Sequence, residues 1–250
     1  HAGTASGDAA ADASDAGAAD ADAGGWDGNT TSPCPGVPIV PDMSGNLAPG
    51  SNAVGIVGSW YAYYDCSDYT FQGLTPMPGV NCSQVNTPTP GGTFAPSIGL
   101  TGAPTKLCTS GSTVPASPDD ASPPQWSLRW GAGIGLDLNS QGGTKLDYNA
   151  LDAGASPIKG FCFVLSGNTI PRIRVNLPSD QGITDNWYFE QFNTPGVHQV
   201  QFTDPGLRQL TPTNTPFDPS KILSVQFLVP SEQNAAVPWD FCVDQLTAIE

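Results

Sequence analysis

Residues 128–139 read LRWGAGIGLDLN. Leu128, Trp130, Ala132, Ile134, Leu136 and Leu138 fall on one row, and Arg129, Gly131, Gly133, Gly135, Asp137 and Asn139 on the other. A repeat of two held without exception over six pairs means a β-strand with one face in a core. The glycines leave the other face nearly bare, which lets a ligand or another backbone come close. Outward from this strand the pattern recurs. Phe161, Phe163 and Leu165 alternate with Cys162 and Val164, while Ile173, Val175 and Leu177 alternate with Arg172, Arg174 and Asn176. Residues 186–192, 197–202, 222–229 and 239–249 complete the downstream set, and residues 54–65 (VGIVGSWYAYYD) form the upstream member. Turn formers separate them, among them Ser166-Gly167-Asn168, Pro195-Gly196 and Asp204-Pro205-Gly206. Short strands at regular spacing with turn punctuation predict an all-β fold, a sandwich or a jelly roll.

The composition agrees. Gly 29 and Pro 25 are high and charged residues make up only 12% of the 250, which opposes long helices. Residues 1–28 are low-complexity Ala/Asp/Gly with too few apolar groups to repay ordering, so they read as a disordered acidic tether. The chain opens at His1 with no leader-type segment, the mark of a mature or truncated start. Residues 29–53 form a Pro/Gly-rich arm carrying Cys34, and residues 54–250 the domain, interrupted at 66–124 by a Pro/Gly/Ser/Thr-rich insertion. A stretch that long with so little periodicity needs a clamp, and Cys66, Cys82 and Cys108 supply one.

Six cysteines (Cys34, Cys66, Cys82, Cys108, Cys162, Cys242) without CxxC spacing, in a chain with two histidines, fit three disulfides better than zinc. Such bridges persist in oxidising compartments, outside the cytosol. Connectivity stays open among 15 possibilities; the like settings of Cys162 (FCF) and Cys242 (FCV) favour a bridge between those two. A net charge of −15, with no Lys or Arg before Lys106, repels phosphate backbones and anionic membrane surfaces. No apolar run is long enough to span a bilayer.

Sugar recognition needs flat aromatic faces and planar hydrogen-bonding groups. On the strand pattern Arg172, Arg174 and Asn176 share the face opposite the core, Gln226 joins them beside Ser224, and Tyr188 and Glu190 are assigned there too. Trp60 turns inward while Tyr61 and Tyr63 turn out, toward a ligand, the insertion or the arm. The plainer account of such a face is solvation, which sandwiches commonly show. Enzyme chemistry finds little support. There is no G-x-S-x-G elbow, His198 is the sole interior histidine, and glutamate is limited to Glu190, Glu232 and Glu250.

Taken in order, WGAGIGLDLN, GFCFVLSG, IRVNLPS, FDPSKILSVQF and WDFCVDQL resemble the galactose-binding-domain-like jelly roll. More narrowly they resemble carbohydrate-binding-module-type domains of secreted bacterial proteins and surface lipoproteins. The resemblance spans residues 54–65 and 126–249 and does not include the cysteine-bearing insertion. It implies a non-catalytic module, secreted or on the bacterial cell surface, that binds a glycan on a sheet face or at loop tips. It also implies a structural calcium near the last strand, where Asp240 and Asp244 share a face and Asp65 joins the ligands. A rival role is a structural subunit of a surface layer, filament or extracellular matrix, in which the 29–53 arm adds a strand to another copy of the chain.

Overall fold

The computed structural model describes residues 32–42, 44–65, 83–86, 106–117, 129–141, 144–145, 148, 157–178, 188–203, 207–209 and 217–250. Along them run β1 (Val37–Pro38), β2 (Asn46–Leu47), β3 (Gly58–Tyr64), β4 (Gln84–Asn86), β5 (Lys106–Ser112), β6 (Gly131–Asp137), β7 (Ser140–Gln141) and β8 (Thr144–Lys145). They continue as β9 (Gly160–Thr169), β10 (Ile173–Leu177), β11 (Tyr188–Phe192), β12 (Gly196–Gln201), β13 (Arg208–Gln209), β14 (Ser224–Pro230) and β15 (Pro238–Ile249). Among the described residues no helix is long and apolar enough to cross a membrane.

The strands form two large antiparallel sheets, in the order β12-β9-β15-β5-β4 with β1 beside β15, and β13-β11-β10-β14-β6-β3-β2, while β7 and β8 pair with each other. The chain crosses repeatedly from one sheet to the other, at β1 to β2, β3 to β4, β5 to β6, β9 to β10, β11 to β12, β12 to β13 and β14 to β15. The alternation read from the sequence dictates what fills the space between. Ile134, Leu136, Ile173, Val175, Val225 and Phe227 from one sheet meet Phe161, Phe163, Leu165, Phe241 and Val243 from the other. Phe163 and Phe227 meet edge to face at 5.0 Å, the arrangement aromatic quadrupoles favour. Trp60 lies in this core, stacked on Phe227 at 6.2 Å. The protein is a jelly-roll β-sandwich.

One expectation about organisation needs correction. The 66–124 stretch is not all loop. It supplies β4 and β5, and β5 pairs with β15 from Lys106↔Asp244 to Ser112↔Pro238. The arm, read as clipped to the domain through Cys34, also pairs with it: β1 joins β15, β2 joins β3, and residues 32–250 form one compact unit. The arm's strand is therefore spent inside its own chain. The 1–28 tether lies outside the described residues.

The bridge expected between Cys162 and Cys242 is also corrected. Cys242 pairs in register with Cys108 and is bonded to it, while Cys162 lies opposite Thr247 and is bonded to Cys34. With β5 inserted at its side, Cys242 meets its partner directly across a ladder, and Cys162 is left to clip the arm. Cys66 and Cys82 lie outside the described residues. The two disulfides suit an oxidising compartment.

Candidate functional site

The face of the seven-stranded sheet turned away from the core carries the candidate site. Register sets its rows. One runs Arg208, Phe189, Asn176, Gln226, Gly135, Tyr61 across β13, β11, β10, β14, β6 and β3. The next runs Gln191, Arg174, Leu228, Gly133, Tyr63. Arg174, Asn176, Gln226, Tyr61 and Tyr63 are thus brought together on one face, with exposed Arg172 two residues before Arg174.

Tyr188 and Glu190 do not belong to it. They pair with Leu177 and Val175, which places them on the core side, and Tyr188 packs there edge to face against Phe217 at 4.7 Å. Its hydroxyl accepts from Gln209 Nε2 at 2.6 Å, and burial raises its pKa above the usual phenol value. The assignment fails because alternation alone does not say which parity of β11 is inward; its neighbours Phe189 and Gln191 hold the outer positions instead.

Tyr61 shows why β6 is glycine-rich. A methyl group built on Gly135 would stand 2.6 Å from Tyr61 Cζ and 2.7 Å from its oxygen, so the ring lies across that bare backbone. Its hydroxyl donates to Ser224 Oγ at 3.4 Å and accepts from Gln226 Nε2 at 2.9 Å. Held at its tip and seated on glycine, the half-buried ring is pre-positioned. Tyr63 sits beside it, 5.8 Å between centroids, and stacks on half-buried Trp130 at 5.7 Å and 25°. Trp130 was assigned to the core row of residues 128–139, but Gly131 at φ 130° breaks the alternation and delivers it to Tyr63. Burial, and then Tyr61, push the Tyr63 phenol well above its ordinary pKa, so it stays protonated.

At the other end the Arg174 guanidinium lies 4.4 Å over the Phe189 ring, a cation–π contact. Burial, then the Arg172 charge, lower its basicity, against the opposing effect of Tyr63. Between the ends, Asn176 is 0% exposed and neither atom of its amide has a hydrogen-bond partner. Gln226 Oε1, Tyr63 Oη and Arg174 Nε are likewise buried and unmatched. The expected open plane is therefore a floor of closely covered groups (Asn176, Ser224, Leu228, Tyr63) edged by half-buried Tyr61, Trp130, Gln226 and Arg174.

The implied calcium ligands do not converge. Asp65 follows β3 and accepts from Ser83 N at 3.0 Å and Ser83 Oγ at 2.7 Å. Asp240 and Asp244 lie on β15 in the other sheet, and Asp240 Oδ2 accepts from Asn168 Nδ2 at 2.7 Å. Among the described residues no three His, Cys, Asp or Glu side chains gather where they could hold a metal ion. Asp65, Asp240 and Asp244 therefore do not form one cluster of calcium ligands. His198, the other residue with catalytic chemistry, packs against Phe192 at 4.6 Å with its ring nitrogen 2.8 Å from the Thr194 carbonyl.

No protein-family model matches the sequence, and no curated protein does so either. Among solved structures, the chain is similar to a family 11 carbohydrate-binding module from Clostridium thermocellum in complex with a beta-1,3-1,4-mixed-linked tetrasaccharide. That likeness has 14% identity and a TM-score of 0.42, over 86% of this chain and 95% of the other. It is also similar to the family 11 module of the cellulosomal cellulase Lic26A-Cel5E of Clostridium thermocellum. There the identity is 15% and the TM-score 0.41, over 82% of this chain and 92% of that one.

Proposed function

We propose that the protein is a non-catalytic glycan-binding module whose binding surface is the Tyr61–Gln226–Arg174 face. The observation that carries the reading is the Tyr61 ring, laid over Gly135 and tethered by Ser224 and Gln226, beside buried amide and hydroxyl groups that lack partners. A sugar ring presents a C–H face that stacks on an aromatic, and a rim of hydroxyls that act as both donors and acceptors. Asn and Gln amides match that dual character, and an orphaned buried amide costs about 1–3 kcal/mol until something pairs with it. Small shifts of the half-buried edge would admit a hydroxyl to that floor.

Hydrolysis fits the same face poorly. Its described carboxylates, Asp65 and Asp137, sit at opposite ends of β6, with Asp65 N bonded to the Gly131 carbonyl. Strand rise puts them roughly 20 Å apart, whereas paired glycosidase carboxylates stand about 5–9.5 Å apart.

Affinity electrophoresis of the full chain through gels containing neutral and charged polysaccharides tests the reading. Retardation by at least one glycan is expected, weakened roughly tenfold or more in Tyr61→Ala, a loss of about 1.4 kcal/mol. Tyr61→Phe, which keeps the ring, should retain most of the retardation. Unaltered retardation in Tyr61→Ala would remove this face from the binding surface.

A further inference from the structure

The charges on this face are unbalanced, and the imbalance selects among glycans. The chain has eight Lys and Arg residues against 23 Asp and Glu. Within residues 32–250 the balance is 8 − 17 = −9, since six of the acids precede residue 32. Three of these few cations gather at one corner. Arg174 lies over Phe189, Arg208 pairs in register with Phe189, and Arg172 is close enough to Arg174 to lower its basicity. Arg172 and Arg208 are exposed, and Arg174 is half-buried with Nε buried and unmatched.

The described carboxylates of the face stand far off. Asp137 is two strands away and Asp65 three, each roughly 16 Å from Arg174 on sheet spacings. Asp65 is also committed to Ser83. Both lie beyond the screening length of about 8 Å at physiological salt. Glu190, close in register as the partner of Val175, is on the opposite side of β11. Arg172 and Arg174, with no carboxylate of the described residues beside them on this face, disfavour each other, and a guanidinium cannot shed its proton to relieve this.

We infer that the glycan this face takes is anionic, its carboxylate or sulfate groups seated at the Arg172–Arg174–Arg208 corner while its ring stacks at Tyr61. The inference rests on the glycan-binding reading above and narrows it. Guanidinium forks match the planar carboxylate and the sulfate oxygens alike. The distance from Arg208 to Tyr61 is five strand spacings, roughly 24 Å, which suits an oligosaccharide of several residues. The chain's net negative charge does not prevent this, because screening leaves the local triad dominant at the corner.

The test titrates the full chain by calorimetry with two matched pairs: polygalacturonate against its carboxyl-reduced form, and dextran sulfate against dextran. A mixed-linkage β-glucan is added as a further neutral probe. The charged member of at least one pair should bind roughly tenfold or more tightly than its neutral counterpart. Raising NaCl from 0.1 to 0.5 M should weaken it, and Arg172→Gln/Arg208→Gln should erase the preference. These two side chains are exposed, so the double variant should melt like the parent; a parallel Arg174→Gln variant, checked by its melting curve, should lose the preference too. The pair that shows the preference separates carboxylate from sulfate. Equal or tighter binding of neutral probes overturns the inference and leaves the glycan reading standing. So does a charge preference that survives both variants, because it then arises elsewhere. Failure of every polysaccharide to bind overturns both.

Discussion

At the scale of single residues, the site depends on an absence. Gly135 occupies an interior strand of a sheet where any side chain would strengthen the ladder, yet a methyl there would meet Tyr61 Cζ at 2.6 Å, its oxygen at 2.7 Å and Gln226 Cγ at 3.1 Å. These are side-chain atoms, so the sheet can survive the substitution by moving them. Gly133 is different, since its added methyl would stand 2.0 Å from the Phe227 carbonyl oxygen, on the backbone itself. Gly135→Ala should therefore fold with a cost of roughly 1–3 kcal/mol from overpacking, and lift the Tyr61 ring from its seat. Glycan retardation should fall about as far as in Tyr61→Ala. Gly133→Ala should fail to yield soluble protein. A Gly135→Ala chain that binds like the parent would show that the ring's seat is irrelevant.

At the scale of elements, the sequence was legible where burial is one-sided. The runs at 161–165, 197–202, 222–229 and 239–249 became β9, β12, β14 and β15, because their apolar row alone settles which way they face. It misled at β11, where YFEQF puts Tyr188 and Phe192 inward yet leaves Phe189 aromatic and outward. It was silent on β5. KLCTSGS is too polar to announce a strand, and it earns its place through pairing with β15 and the Cys108–Cys242 bridge. The candidate site was visible in part for the same reason. Arg174, Asn176, Gln226, Tyr61 and Tyr63 follow from parity, whereas Phe189, Trp130 and Arg208 need the pairing register.

Asp65 joins three such elements. It accepts from Ser83 just before β4, and Ser83 Oγ accepts from Val114 N just after β5. Burial raises the Asp65 pKa despite those hydrogen bonds. A raised folded pKa means the folded state holds the proton more tightly than the unfolded one. The contribution of Asp65 to stability therefore improves as pH falls from neutral through that raised value, and worsens on the way back. Asp65→Asn keeps one acceptor and removes the charge. Urea unfolding at pH 7 and pH 4 should show the parent gaining on the variant at the lower pH. A gap that does not change with pH would mean Asp65 is not held in that state.

At the scale of the molecule, stability and binding are assigned to different sheets. Both described disulfides lie in the sheet that contains β15: Cys108–Cys242 closes 134 residues and Cys34–Cys162 closes 128. In chain-entropy terms each such bridge is worth about 5 kcal/mol of restraint on the unfolded chain, an upper figure when other crosslinks already restrict it. The second half of the arm is secured by β2 on β3 and by Leu47 in the core, but its first residues, next to Cys34, have fewer ties to β15. Two residues of β1 pair with Ala248 and Thr247, Thr247 Oγ1 donates to the Pro35 carbonyl at 2.6 Å, and Ile39 N donates to Leu246 O at 2.9 Å. Cys34→Ser/Cys162→Ser should thus lower the melting temperature on the order of 10 °C, at about 2–4 °C per kcal/mol for a domain this size. Proteolysis should begin within residues 32–42, where the arm peels from β15. Glycan retardation of the still-folded variant at 20 °C should match the parent, because Tyr61, Gln226 and Arg174 stand on the other layer with the aromatic core between. If binding were lost while the melt still showed a folded protein, the two layers would be coupled, and the site would have to be sought on the β15 sheet instead.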